Sequence, residues 1–312
     1  MSTPKIVFMG TPEFAVPSLD ILITHNYQIA GVVTQPDRPR GRGRIPTLPP
    51  IKALAEKYNL PVNQPERMKD REVIDYFRDL APDLVVVAAF GQILPREILE
   101  IPKMGCVNVH PSLLPKCRGA APMNWTIIRG EVKTGVTIML MDEGLDTGDI
   151  LSQEETMIDP EETFGKLRER LAEMGAALLL KTVGMIVNGI VTRTSQDDSL
   201  ATYAPRLKKE DGLINWNKDV SQVVNLIRGL SPVPCAYTFY KGKMLKIFSA
   251  KGKTSYNVGT PGKIGSETEL GLPVEAKNGY VYLREIQLEN KKRMSVHDFL
   301  RGFRIAPGDT LS

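Results

Sequence analysis

Histidine and cysteine are scarce in this chain, with three of each among 312 residues. Cys106, Cys117 and Cys235 are odd in number and scattered, which favours a reducing cytoplasm over a disulfide framework. His25, His110 and His297 fall on unrelated segments, so no zinc-type spacing exists and no metal is expected. No apolar run approaches the length of a membrane span. The opening "MSTPKIVFMG" lacks a basic region followed by a long apolar stretch and a small-residue cleavage site, so export is not expected.

Phosphate-binding signatures are also missing. "GTPEFAVPSL" follows the first apolar run, but it is not G-x-G-x-x-G, and Glu13, Phe14 and Pro17 stand where small residues would be needed. No G-x-x-x-x-G-K-[ST] occurs. A nucleotide-dependent dehydrogenase is thereby excluded. Ser112 has no G-x-S-x-G turn around it, which argues against a serine nucleophile. Asp142, Asp146 and Asp149 do not follow the alternating pattern of a calcium loop.

What is present is the composition of a soluble globular protein, 42% hydrophobic and 24% charged, long enough for two domains. The net charge of +4 is unevenly spread. Residues 206–312 hold 18 Lys+Arg against 10 Asp+Glu, so the rest of the chain is left with 22 against 26. A basic last third points to an anionic partner, although a solvated lysine-rich surface reads the same way.

The first half alternates short apolar runs with amphipathic stretches. "KIVFMG", "QIAGVV" and "DLVVVAAFG" read as buried strands, and "VPSLDILITHN" and "DREVIDYFRDLA" as helices. The expected fold is α/β: an open, mainly parallel Rossmann-like sheet with helices on both faces. The polar "TSQDDSLATYAPRLKKEDG" reads as a linker. Short strands with Gly/Pro punctuation follow it and predict a small C-terminal β-barrel of the oligonucleotide-binding (OB-like) type. The expected division is 1–190, a linker at 191–207, and 208–312.

Ligands of such sheets bind beyond the carboxyl ends of the strands. In "CVNVH" the pleat puts Asn108 and His110 on one face. A carboxamide and an imidazole there can converge on one carbonyl oxygen. "MDEGLDTGDI", with Asp142, Glu143, Asp146 and Asp149, leaves a nearby strand. A lone histidine beside a strand is more often a satisfied packing residue. The shared face and the acidic loop favour catalysis here.

At these residues the chain resembles a known family. "FMGTPEFAVPSL", "TQPDRPRGRGR", "FGQILP", "NVHPSLLPKCRGAAP", "GVTIMLMDEGLDTGDIL" and "ATYAPRLKKEDGLINW" together resemble the methionyl-tRNA formyltransferases, within the broader 10-formyltetrahydrofolate-dependent formyltransferases. The resemblance implies formyl transfer from 10-formyltetrahydrofolate to the α-amino group of methionine on initiator tRNA, without a metal. It implies Asn108, His110 and Asp146 as the catalytic trio. Asn108 and a protonated His110 donate to the developing oxyanion, while Asp146 orients the imidazole and helps carry the proton. Ser112, Leu113, Leu114 and Pro115 are implied at the folate, with Phe90 to Pro95 and the backbone of residues 142–146 lining the same pocket. Arg38, Arg40, Arg42 and Arg44 read either as an exposed basic loop or as a flexible clamp for the tRNA, where the resemblance implies Arg42. Phe14 either lines a pocket for the methionine side chain or packs in the core. A cytoplasmic monomer with no obligate protein partner is expected. Two alternatives within the same superfamily stay open, a formyltransferase acting on an amino sugar nucleotide and a formyltetrahydrofolate hydrolase. A non-catalytic RNA-binding protein is a third.

Overall fold

The protein is described here by a computed structural model covering residues 3–40, 45–256 and 258–312. The chain forms two compact units, Met1–Pro122 with Thr134–Thr156 and Arg168–Ala204, and Met123–Lys133 with Met157–Leu167 and Pro205–Ser312.

The elements run β1 (Lys5–Gly10), α1 (Val16–Thr24), β2 (Gln28–Val33), β3 (Arg38–Arg40), β4 (Ile45–Thr47), α2 (Pro50–Lys57), β5 (Val62–Asn63), α3 (Arg71–Leu80), β6 (Leu84–Ala88), α4 (Arg96–Leu99), β7 (Cys106–His110), α5 (Pro122–Ile128), β8 (Lys133–Leu140), β9 (Ile150–Met157) and α6 (Phe164–Val187). Seven strands form one sheet in the order β5-β2-β1-β6-β7-β8-β9. The pairings β2–β5, β1–β2, β1–β6 and β6–β7 are parallel. Parallel strands covered on both faces need apolar side chains at every position, and every residue of β6 is buried. Val7, Met9, Val85 and Val87 join Val73 and Phe77 of α3 in one core on one side of the sheet.

One strand departs from the parallel expectation. β8 runs antiparallel to β7, with Val107 opposite Leu140 and His110 opposite Thr137. Its end therefore lies beside the start of β7. Residues 123–133 group with the second unit, so α5 is not a crossover helix that returns the chain in parallel.

The second unit adds α7 (Val220–Leu230), β10 (Ala236–Tyr240), β11 (Lys243–Thr254), β12 (Leu272–Ala276), β13 (Gly279–Leu288), β14 (Met294–Ser295) and α8 (Val296–Gly302). Its sheet has the order β10-β11-β13-β12, with β14 on β13 and antiparallel pairing throughout. Register shifts near Ser249 bend the long β11, as bulges do. Single bridges complete the circuit: Val274 to Ile264, Lys263 to Thr310, and Leu311 to Tyr240. The expected barrel is thus a curled five-stranded sheet joined edge to edge by two short segments. "GKIGS", read as a strand, supplies only bridge residues. α7 is capped by a reciprocal Asp219–Gln222 box, and its Val220, Val223 and Ile227 enter the core of the unit.

Candidate active site

β7 places Asn108 and His110 on one face, and Val107 and Val109 are buried on the other. The two polar residues have different surroundings. His110 is 4% exposed and both ring nitrogens face acceptors. Its Nε2 lies 3.1 Å from the Cys117 carbonyl, and its Nδ1 lies 3.6 Å from Asp146 Oδ2. A carbonyl only accepts, so Nε2 carries a proton. The Asn108 carboxamide is half-buried and makes no hydrogen bond among the described residues. A donor on the sheet face is therefore open to a ligand, beside a histidine whose ring is fixed.

The stretch after β7 doubles back and is fastened to its neighbours. Ser112 Oγ donates to the Lys116 carbonyl at 2.6 Å. Thr137 Oγ1 donates to the Ser112 carbonyl at 2.6 Å and accepts the Leu114 amide at 3.2 Å. Gln153 Nε2 reaches both Thr137 Oγ1 and the Leu114 carbonyl. Ser112 and Leu114 are buried, whereas Leu113 and Pro115 stay half-exposed. This turn delivers residues 117–119 over His110: Cys117 presents its carbonyl to the ring, and the Gly119 amide donates to Asp146 Oδ2 at 2.7 Å.

The acidic loop sorts its four carboxylates. Asp142 accepts from the Gly144 amide and from Thr147 Oγ1, closing its own turn. Glu143 lies 3.6 Å from Arg96, which sets this loop alongside the chain entering α4. Asp149 accepts from Ser195. Asp146 alone meets the histidine. Because β8 is antiparallel, the loop must run back along β7 to do so. Asp146 has a left-handed backbone, φ 55°, which an aspartate tolerates better than most residues. Its Oδ1 makes no hydrogen bond among the described residues and remains available.

Arg118, which the sequence leaves open between holding phosphate, facing a carboxylate and capping the turn, meets Gln196 and Asp198, two residues to which the sequence gives no role. Arg118 is 2% exposed. Its guanidinium donates to Gln196 Oε1 through Nε (3.1 Å) and Nη2 (2.9 Å), and through Nη2 to Asp198 Oδ1 at 2.7 Å. Gln196 Nε2 donates to the carbonyls of Asp146 (2.9 Å) and Gly148 (2.7 Å). Arg118 also bridges to Tyr203 in parallel, and the Thr202 carbonyl accepts its amide. The stretch read as linker thus contributes side chains to the surroundings of Asp146.

The other expected residues lie as follows. Arg38 and Arg40 are on β3, which pairs with β4 as a two-stranded antiparallel ribbon; Arg42 and Arg44 lie outside the described residues. At the base of the ribbon, hydrogen bonds from Lys52 and then Gln64 hold Asp37 below the usual carboxylate range. In Phe90–Pro95, Phe90 and Leu94 are buried while Ile93 is 86% exposed. Leu145 is also largely exposed, which leaves apolar surface on both the Phe90–Pro95 stretch and the acidic loop. Phe14 is buried and borders a cavity of about 480 Å³ shared with Val16, Pro17, Arg168 and Ala172.

A doubly sided sheet that sets an unpaired carboxamide beside a His–Asp pair, joined to a basic barrel-like unit, is the arrangement of a two-domain group-transfer enzyme. The chain belongs to the formyl transferase family: the family model "Formyl transferase" matches residues 4–183, and "Formyl transferase, C-terminal domain" matches residues 206–304. It is 58% identical to a methionyl-tRNA formyltransferase of Syntrophus aciditrophicus (strain SB), covering 100% of both chains. It is 51% identical to one of Geotalea uraniireducens (strain Rf4), covering 100% of this chain and 99% of that one. Among solved structures it is similar to HypX of Aquifex aeolicus in complex with tetrahydrofolic acid (TM-score 0.67, 16% identity). There it covers 99% of this chain but spans about half of the longer protein, 51%. It is also similar to an N-formyltransferase of Helicobacter canadensis in complex with folinic acid and dTDP-3-aminofucose (TM-score 0.66, 20% identity, 93% and 100% covered). At such identities these two structures speak to fold alone.

Proposed function

We propose that this protein transfers the formyl group of 10-formyltetrahydrofolate to the α-amino group of methionine on initiator methionyl-tRNA, the step that prepares that tRNA for translation initiation. The observation that carries this reading is the free Asn108 carboxamide beside the His110–Asp146 pair, in a chain 58% identical over its whole length to a methionyl-tRNA formyltransferase. The amine nitrogen attacks the formyl carbon, the bond from that carbon to N10 breaks, and one proton passes from the amine to N10. Asn108 Nδ2 donates to the oxygen as it becomes negative. Asp146, through its open Oδ1, takes the amine proton, and His110 fixes the other oxygen of the carboxylate. The protonated imidazole was expected to reach the substrate oxygen itself. With Nε2 engaged by Cys117, its part is instead to hold Asp146.

Folate fits apolar surface bordered by backbone groups. Leu113, Pro115, Ile93 and Leu145 offer the accessible apolar side chains, and the inward-turned Ser112 and Leu114 shape the turn that carries them. The nucleic acid is assigned to 208–312 and to the arginine ribbon. On the sheet of the second unit, Lys246 stands opposite Tyr237, Lys251 opposite Tyr282, and Lys253 opposite Tyr280. Alternating cations and rings suit phosphates and unpaired bases. The basic surplus of the last third favours tRNA over an amino sugar nucleotide. No helix among the described residues is long and apolar enough to cross a membrane.

The test supplies 10-formyltetrahydrofolate with charged initiator methionyl-tRNA, elongator methionyl-tRNA or dTDP-3-aminofucose. Formylmethionine on the initiator alone is expected. Formyl transfer to the sugar nucleotide, or formate released without an acceptor, would replace this reading with one of its alternatives.

A further inference from the structure

We infer that Arg118 and Gln196 form a positioning device for Asp146; the inference rests on the catalytic reading above and adds two residues to it. Among the described residues Asp146 is the one carboxylate at the histidine, and it sits there in a left-handed conformation within a loop that runs back against the direction of its own strand. An aspartate tolerates that conformation better than most residues but still at a cost, which outside contacts offset. The Gln196 amide holds the backbone on both sides of the strained position, donating to the carbonyls of residues 146 and 148.

Gln196 is in turn fixed from behind. Its Oε1 accepts two bonds from the planar guanidinium of Arg118, a fork geometry that sets the amide plane as well as its distance. This also decides which end of the amide is oxygen: a guanidinium only donates, so NH₂ must face the loop. Arg118 lies between the two residues whose backbones grip the catalytic pair, Cys117 at His110 and Gly119 at Asp146. One short segment therefore fixes the imidazole, the carboxylate oxygen and, through Gln196, the backbone of the loop. Neither side chain reaches the reacting atoms in this scheme. Their effect passes through the placement of Asp146.

Gln196→Glu isolates this role. The variant keeps the acceptor for Arg118, but it removes both donors and sets a carboxylate oxygen against the two loop carbonyls. The full-length protein is assayed with 10-formyltetrahydrofolate and initiator methionyl-tRNA, with thermal melting to establish that the variant is folded. The expected result is a fall in kcat of about ten- to a hundredfold, with KM for each substrate within about twofold of the original. Arg118→Met, which leaves Gln196 unfixed, should repeat the pattern in any preparation that still melts cooperatively. A kcat for Gln196→Glu within about twofold of the parent, or a rise in KM as large as the loss in kcat, overturns the inference. No formylated product from the unmodified protein would instead overturn the catalytic reading on which it rests.

Discussion

His110 Nδ1 and Asp146 Oδ2 lie 3.6 Å apart, yet each is held more closely by residues 117–119 than by the other. Cys117 accepts from the ring at 3.1 Å, and Gly119 donates to the carboxylate at 2.7 Å. The pair is templated by a third segment, so its separation is set by backbone and not by its own attraction.

Removing either member should stop chemistry without emptying the folate site. Asp146→Asn keeps the size and the Gly119 contact but cannot take a proton, and a loss of about 10²- to 10⁴-fold in kcat is expected. His110→Ala should lose a comparable factor. Folate binding measured by fluorescence titration should remain. A near-parental kcat in either variant would remove these residues from the mechanism.

Asn108→Ala deletes the open donor. If that donor serves the developing oxyanion, kcat should fall by about 10²- to 10³-fold with little change in KM. Restoration by Asn108→Asp would count against this, since an ionised carboxylate cannot donate.

Gly148→Ala probes the loop. A Cβ there would overlap the Leu140 carbonyl oxygen, so backbone must move. About 1–3 kcal/mol of stability should be lost, read from urea melts, together with activity. A variant of unchanged stability would show that the loop yields freely.

Burial pushes the Cys106 thiol up to about 12 from an ordinary 9.0. The folded state thus favours the neutral thiol. Its contribution to stability is complete below pH 9 and is lost progressively as pH rises towards 12. Cys106→Ala should flatten the decline of the urea midpoint between about pH 9 and 11. In the native protein Cys106 should not react with iodoacetamide at pH 8.

Affinity for tRNA should fall steeply with salt, by at least about tenfold between about 50 and 200 mM. Filter binding at several salt concentrations measures this, and a flat dependence would remove the basic unit and the arginine ribbon from tRNA binding.

Much of the sheet was legible because parallel strands buried on two faces must be apolar without alternation, as β1 and β6 are. That Asn108 and His110 share one face of β7 was legible from the pleat. The direction of β8 was not, since period-2 and period-3.6 patterns carry no sense of direction, and a helix between two strands ordinarily implies a crossover. β9 escaped notice because "ILSQEETM" is polar, as edge strands are. The arginine stretch read as loop, and its flanks proved to be β3 and β4, too short for any periodic signal. Among four acids in eight residues, spacing alone does not separate Asp146; the resemblance does, and the fold shows the other three engaged with Thr147, Arg96 and Ser195. Gln196 lies 50 residues from the loop it holds, and Arg118 lies 78 and 80 residues from its partners Gln196 and Asp198.

The stretch from Gln196 to Ala204 also dictates where this chain can be divided. A catalytic fragment designed to stop at residue 190 would contain Asn108, His110 and Asp146, but it would leave a guanidinium buried without its acceptor and two loop carbonyls without their donor. The first seam that spares these bonds comes after Ala204, whose amide donates to the Arg118 carbonyl and whose own carbonyl accepts from Ala121. Chimaeras that exchange the basic unit between relatives should be joined there, inside the polar stretch and not ahead of it.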